Sequence, residues 1–263
     1  MEAITIKKLI VDFRKEQTHC GIKKMYPDLK ESLKKNNIKI GRDGLIKFAR
    51  FNDLLVRKTK LAHITTDSKH HYFKSPNLIK DMLPTKAEQV FVADITYIRL
   101  QYDWAYLALV TDYYSKKIMG YTLADNMKAP MVIDALKMAK KNCVHNRENI
   151  IHHSDRGVQY CCNEYAAYTE KNNFQLSTTE KYDPYENAVA ERINGILKYE
   201  FGLVKIIPDL DTAHKMVKQA IDIYNNKRRH WSLNLETPAN AHIKQDHNYI
   251  SYKRSVDNRK KCC

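Results

Sequence analysis

The 263-residue chain has no apolar run approaching the roughly 18 residues that a membrane-spanning helix needs, so no such helix is expected. Its opening, MEAITIKKLIVDF, lacks the apolar stretch and small-residue cleavage site of a secretory signal. A cytoplasmic protein is therefore expected. The chain has no internal repeat and no low-complexity tract, and 43% hydrophobic residues disfavour global disorder. No Cys-x-x-Cys occurs among its six cysteines, Cys20, Cys143, Cys161, Cys162, Cys262 and Cys263. His70, His71, His152 and His153 have no cysteine pair to complete a zinc site, and adjacent cysteines make poor disulfide partners. Free thiols are expected.

What the chain has in excess is positive charge, +15 overall. Residues 1–90 carry 20 Lys/Arg against 10 Asp/Glu, and residues 225–263 carry 9 against 3. The stretch between them holds 16 against 17. Two basic flanks around a near-neutral middle suit a polyanion, because Lys and Arg displace counterions condensed on a phosphate backbone. A basic soluble protein or a membrane-surface binder would share this composition.

Apolar spacing divides the chain into four parts: 1–61, 62–88, 89–225 and 226–263. In the first, Ile6, Leu9, Ile10 and Phe13 recur at helical spacing, as do Ile22, Met25, Tyr26, Leu29 and Leu33. Gly41 breaks the pattern, and Asp43 is a plausible N-cap for a third helix with Leu45, Phe48 and Ala49. Three basic helices of this size could form a helix-turn-helix. Residues 62–88, with Pro76 and Pro84, read as a linker. In 89–225 the β-branched and aromatic runs 89–99, 104–112 and 117–123 predict three closely connected strands. Helices are predicted over 131–141, 163–173, 186–200 and 211–225, with short strands at 149–153 and 174–177. Strands first and then alternating helices argue for a mixed α/β sheet. Residues 226–263 read as a basic C-terminal segment.

Three carboxylates fall where chemistry is easy to build. Asp94 lies in an otherwise apolar strand, a costly place unless the group is paired or binds metal. Asp155 follows a short strand and precedes Gly157, a strand end entering a tight turn. Glu191 lies within a helix. At about 100° per residue, Val189, Ile193, Ile196 and Leu197 share one side. Glu191, Asn187, Asn194 and Lys198 fall opposite, and Glu186 falls near the apolar stripe. Glu191 is thus the carboxylate on a polar face, with Lys198 two turns along it and able to reach a phosphate. Two divalent ions about 4 Å apart can activate a nucleophile and stabilise a leaving oxygen at a phosphodiester. Mg²⁺ prefers oxygen ligands, so a few carboxylates suffice. By residue type and placement alone, the same three could be ordinary surface acids among 30 Asp and Glu.

The wording of the motifs adds to this. VFVADITYIRL and WAYLALVTDYYSKKIMGY resemble the opening of the retroviral-integrase-type catalytic core. IIHHSDRGVQY and YDPYENAVAERINGILKYEF resemble its second and third motifs. The branch they look like is the OrfB type of two-frame bacterial insertion-sequence transposases. Between Asp155 and Glu191 lie 35 residues, the interval this D-D-35-E branch is named for. Lys198 stands where the branch carries a basic residue. CGIKKMYPDLKESLKKNNIKIGRDGLIKFARFNDLL is similar to the helix-turn-helix domain that precedes such cores, and TTDSKHHYFKSPN to the usual linker. YNNKRRHWSLNLETPANAH resembles the stretch that follows them, with Trp231 after the basic run as a departure.

The resemblance implies an RNase H-like fold, a mixed five-stranded sheet with helices on both faces, behind a small helical domain. It implies two Mg²⁺ ions, replaceable by Mn²⁺, held by Asp94, Asp155 and Glu191. Water would cut at each transposon end, and the freed 3′-hydroxyl would attack a second phosphodiester. Arg156, Asn194 and Lys198 near the acids, and Arg228, Arg229 and His230 beyond the core, are expected to contact DNA. Expected partners are the terminal inverted repeats, target DNA, further copies of the chain, and an upstream-frame OrfA product that this chain, starting at Met1, does not include. The implied location is the bacterial cytoplasm, at the nucleoid. An RNase H-type nuclease shares the fold and metals. A catalytically silent DNA-binding regulator of the full fused transposase is the alternative from another class.

Overall fold

A computed structural model describes residues 2–56, 72, 74–80, 82–180 and 187–246. Glu186, Cys262 and Cys263 lie outside the described residues, as does most of the linker stretch 65–77. The N-terminal head consists of α1 (Glu2–Glu16), α2 (Ile22–Lys35) and α3 (Arg42–Phe51). Each helix carries an apolar stripe, and the three stripes close on Ile6, Ile10, Ile22, Met25, Leu29, Leu33, Leu45 and Ala49. The helical periodicity read in the sequence is therefore what builds this small core.

The main body is a five-stranded sheet in the order β3-β2-β1-β4-β5. Strands β1 (Val90–Arg99), β2 (Trp104–Asp112) and β3 (Ile118–Ala124) form an antiparallel meander. Strands β4 (Ile150–Ser154) and β5 (Phe174–Thr178) add in parallel to the other side of β1. The central strand β1 has neighbours on both edges, and its first four residues are all buried. Helices α4 (Ala129–Lys141), α5 (Val158–Cys161) and α6 (Asn163–Lys171) lie on the sheet's first face, where α4 and the short α5–α6 pair bury Phe91, Ala93, Val110 and Ile150. Helices α7 (Ala188–Glu200) and α8 (Leu210–Asn226) cover the second, over Ile98, Leu107 and Leu109. This is the expected mixed sheet flanked by helices. Gly120 lets α4 come close, since a side chain there would run into the backbone of Ala135 and Ala139.

Two segments carry structure that the sequence reading did not specify. The end of the expected linker is tied to the body: Leu78 N–H donates to Ser177 Oγ at 2.9 Å, and Thr178 Oγ1 donates to the Ser75 carbonyl at 2.6 Å. Glu88 is fully buried. It accepts backbone N–H bonds from Val144 and His145 at 2.8 and 2.7 Å. The expected basic C-terminal segment contains a 3-10 turn at Trp231–Leu233 and α9 (Pro238–Lys244). Buried His242 on α9 sets Nε2 3.0 Å from Glu88 Oε1 and Nδ1 3.0 Å from Ser115 Oγ. Isolated polar letters such as Glu88 and His242 give no periodic signal, so only the folded chain pairs them.

Candidate active site

Each of the three acids is delivered by a different element. Asp94 sits in the middle of β1, facing α7 and the same sheet face as Ile98. Asp155 follows β4, which runs parallel to β1 and ends beside its middle, Val92 opposite His153. Its Oδ1 accepts the Gly157 N–H at 3.0 Å. A side chain at 157 would crowd that carboxylate, so glycine suits the turn. Glu191 lies in the first turn of α7 and is exposed. Preceding it in the second motif, His152 and His153 are fully buried, His152 against Tyr165 and His153 on Ser177. Both are part of the interior around β4.

The acids feel one another. Burial and the charge of Asp155, with a smaller contribution from Glu191, push Asp94 up to about 7, against hydrogen bonds from Asn194 and the Ile95 N–H. Burial and Asp155 also raise Glu191. Repulsion among carboxylates gathered where β4 ends beside the middle of β1 is the electrostatic mark of a site that a cation would relieve. The donors are hard oxygens without sulfur or imidazole, which fits Mg²⁺ or Mn²⁺. Among the described residues no three acidic, histidine or cysteine side chains already form a metal cage. An ion here would take water for part of its shell, as Mg²⁺ usually does.

The polar neighbours divide into two groups. Asn187 and Asn194 were expected on a face opposite the apolar stripe, yet both are buried, 6% and 5% exposed. They belong to the edge of the arc that α7 presses onto β1. Asn187 Nδ2 donates to the Ala93 carbonyl at 3.0 Å, and Asn194 Nδ2 donates to Asp94 Oδ2 at 2.8 Å. Asn194 thus holds a carboxylate rather than reaching outward to DNA. Lys198 stands at the margin of that arc; burial lowers its pKa and the Asp94 charge partly restores it. Arg156 is half-buried beside Asp155.

The expected DNA contacts in the basic run 228–230 are corrected by their surroundings. Arg228 is 2% exposed, and its guanidinium grips Glu200 with Nε–Oε2 at 2.7 Å and Nη2–Oε1 at 2.8 Å. Arg229 bonds Asp28 on α2 at 2.6 Å. His230 is buried with Nε2 2.7 Å from Arg228 Nη1. With Lys24 of α2 also on Glu200, at 3.2 Å, these residues tie the head to the body. Composition alone reads such a run as a basic patch, because it cannot show the acids opposite.

Comparison with known proteins follows the same outline. Residues 84–184 and 172–238 each match an Integrase core domain family. The chain is 32% identical over 240 residues to the insertion element IS600 uncharacterized 31 kDa protein of Shigella sonnei, covering 90% of this chain and 86% of that one. It is 33% identical over 155 residues to a putative transposase for insertion sequence element IS986/IS6110 of Mycobacterium tuberculosis, covering 55% of this chain and 54% of the relative. With that protein it therefore shares only about half the length. In three dimensions it is similar to a chain of the simian T-cell lymphotropic virus intasome solved with the PP2A regulatory subunit B56 gamma. That likeness has a TM-score of 0.54 at 16% identity, over 94% of this chain and 79% of the other, and it concerns the fold.

Proposed function

This chain belongs to the insertion-sequence transposases built on an integrase core domain, enzymes of DNA transposition, and we propose that Asp94, Asp155 and Glu191 are the carboxylates with which it cuts and joins strands. The observation that carries this reading is their convergence from β1, the end of β4 and α7, with Asp94 raised to about 7 by burial and by the charge of Asp155. Such a set would hold two Mg²⁺ ions, or Mn²⁺ in their place. Bound there, the ions would supply Lewis-acid stabilisation of the attacking and leaving oxygens. The chain's own part is positioning. Asn187 and Asn194 pin α7 to β1 on either side of Glu191, which sets the distance between the elements that carry Asp94 and Glu191. Lys198, one turn beyond Asn194, is placed to take a phosphate of the bound strand. Gly157 keeps Asp155 in its turn.

The substrates of this reading are the terminal inverted repeats of a mobile element and a target duplex. Joining two ends calls for more than one copy of the chain, and an upstream-frame OrfA product is a further candidate partner. The head, with Arg42, Lys47 and Arg50 on α3, supplies a basic surface for duplex DNA. Asp94→Asn, Asp155→Asn and Glu191→Gln should each abolish Mg²⁺-dependent cleavage and joining of a labelled element end. Circular dichroism and duplex affinity should stay near wild type. Full strand transfer by any one of the three would overturn the assignment.

A further inference from the structure

Asn194 has a half-finished set of bonds. Its side chain is 5% exposed, and Nδ2 donates to Asp94 Oδ2 at 2.8 Å. A carboxylate that ligates a metal is ionised and only accepts, so at a metal-bound Asp94 the amide nitrogen is the atom that faces it. That leaves Oδ1 as a pure acceptor, and it has no hydrogen-bond partner although it is buried. A buried acceptor without a donor is disfavoured, because it has lost water and gained nothing in return. Both atoms belong to one planar amide, so Oδ1 lies within about 5 Å of the Asp94 oxygen. The donor it calls for must therefore fit beside a metal-ligating carboxylate. Lys198 is one turn away, but its ammonium makes no bond to Oδ1. Asp94 already accepts the Ile95 N–H through Oδ1 at 2.9 Å, so main chain and amide together fix both of its oxygens.

We infer that Asn194 is an outer-sphere residue of the metal site, steering Asp94 with Nδ2 and accepting through Oδ1 a hydrogen bond from a water on the divalent ion. Water on a dication is a strong donor, and Mg²⁺ keeps several such waters. The inference rests on the metal-binding reading of the three carboxylates and adds a fourth residue that touches the hydrated ion without ligating it. Partners of this kind orient the ligand and are worth roughly 10–100-fold in metal affinity. The packing of α7 does not depend on the amide, since Ile193, Ile196 and Leu197 bury the same helix in the apolar core.

The test is Mn²⁺ titration of the purified full chain without DNA, followed by electron paramagnetic resonance of free Mn²⁺ and by the metal-induced rise in Tm. Wild type should bind. Asn194→Ala should keep its circular dichroism spectrum, bind Mn²⁺ about 10–100-fold more weakly and lose the rise in Tm. Asn194→Asp, which keeps an acceptor oxygen in the same shape, should bind more tightly than Asn194→Ala. Wild-type affinity in Asn194→Ala would overturn the inference while leaving the carboxylate site intact. Equal weakness of Asn194→Ala and Asn194→Asp would also overturn it, because the loss would then follow only the missing Nδ2. If wild type itself takes up no Mn²⁺, or if Asp155→Asn binds as wild type does, the metal reading of the site falls along with it.

Discussion

Glu200 sits at the last position of α7 and receives charge from both the head and the C-terminal segment. Arg228 meets it with two hydrogen bonds, and Lys24 adds a third contact at 3.2 Å. Arg228 keeps only 2% of its side chain exposed, against 16% for Lys24 and 19% for Glu200. Glu200→Gln would strand a guanidinium inside the protein, facing an amide that brings donors as well as an acceptor. Removing one partner of a buried pair is destabilising by about 3–5 kcal/mol, and the residual solvent at Glu200 and Lys24 places this case at the lower end, about 3 kcal/mol. The pH dependence has a definite sign. Burial pushes the Glu200 carboxyl up, but bonds and charge from Arg228 and Lys24 outweigh it and hold it below its usual 4.5. Its stabilisation is therefore present above that value and is lost as pH falls through the lowered folded-state value. Urea unfolding of wild type and Glu200→Gln at pH 7 should differ by about 3 kcal/mol, and the gap should narrow towards pH 3. A gap under about 1 kcal/mol at pH 7, the range of exposed pairs, would refute a buried tie between head and body. So would a gap that does not change with pH. Replacing Lys24, Glu200 and Arg228 together by apolar residues should be milder than Glu200→Gln alone, since no charge is then stranded.

Lys198→Ala should weaken binding to an element end severalfold and lower the slope of log affinity against log salt by about 1, as loss of one phosphate contact requires; an unchanged slope in fluorescence anisotropy would remove Lys198 from the DNA interface. Gly120→Ala should lower stability by about 3 kcal/mol or more, because the new methyl meets main chain of α4 that cannot rotate away; a Tm equal to wild type would contradict the close packing of α4 on β3. In EDTA, melting temperature should fall as pH rises from about 5 to 8, because Asp94 is raised from 3.8 to about 7 in the folded chain and its contribution is lost as it ionises. Mg²⁺ should reverse that fall, and a metal-free melting temperature that rises over this window would argue against the carboxylate cluster.

Much of the architecture is legible in the sequence. The strands expected at 89–99, 104–112 and 117–123 appear at Val90–Arg99, Trp104–Asp112 and Ile118–Ala124. The helix expected over 211–225 appears at Leu210–Asn226. These elements owe their form to apolar periodicity, and a side chain's burial follows directly from its phase on the helix or strand. The short α5 and α9 escape that reading because four and seven residues are too few to show a period. Phase also misjudged the asparagines of α7. Polarity placed Asn187 and Asn194 away from the core, but each has a backbone or carboxylate acceptor waiting on β1, so burial is satisfied.

The sequence by itself determined which three carboxylates to consider, since one motif sets Asp94 within a strand, the next sets Asp155 just after one, and helical phase picks Glu191 from the acids of the third. It also determined the alternation of strands and helices that brings those frames together. The tertiary structure alone decided what the other charges do. Arg228, Arg229 and His230 read as a patch for DNA until Glu200 and Asp28 are seen to meet the two arginines from 28 and 201 residues away, with His230 buried on Arg228. Local propensity and apolar phase act over a few residues. Desolvation and charge pairing depend on neighbours that only the folded chain supplies.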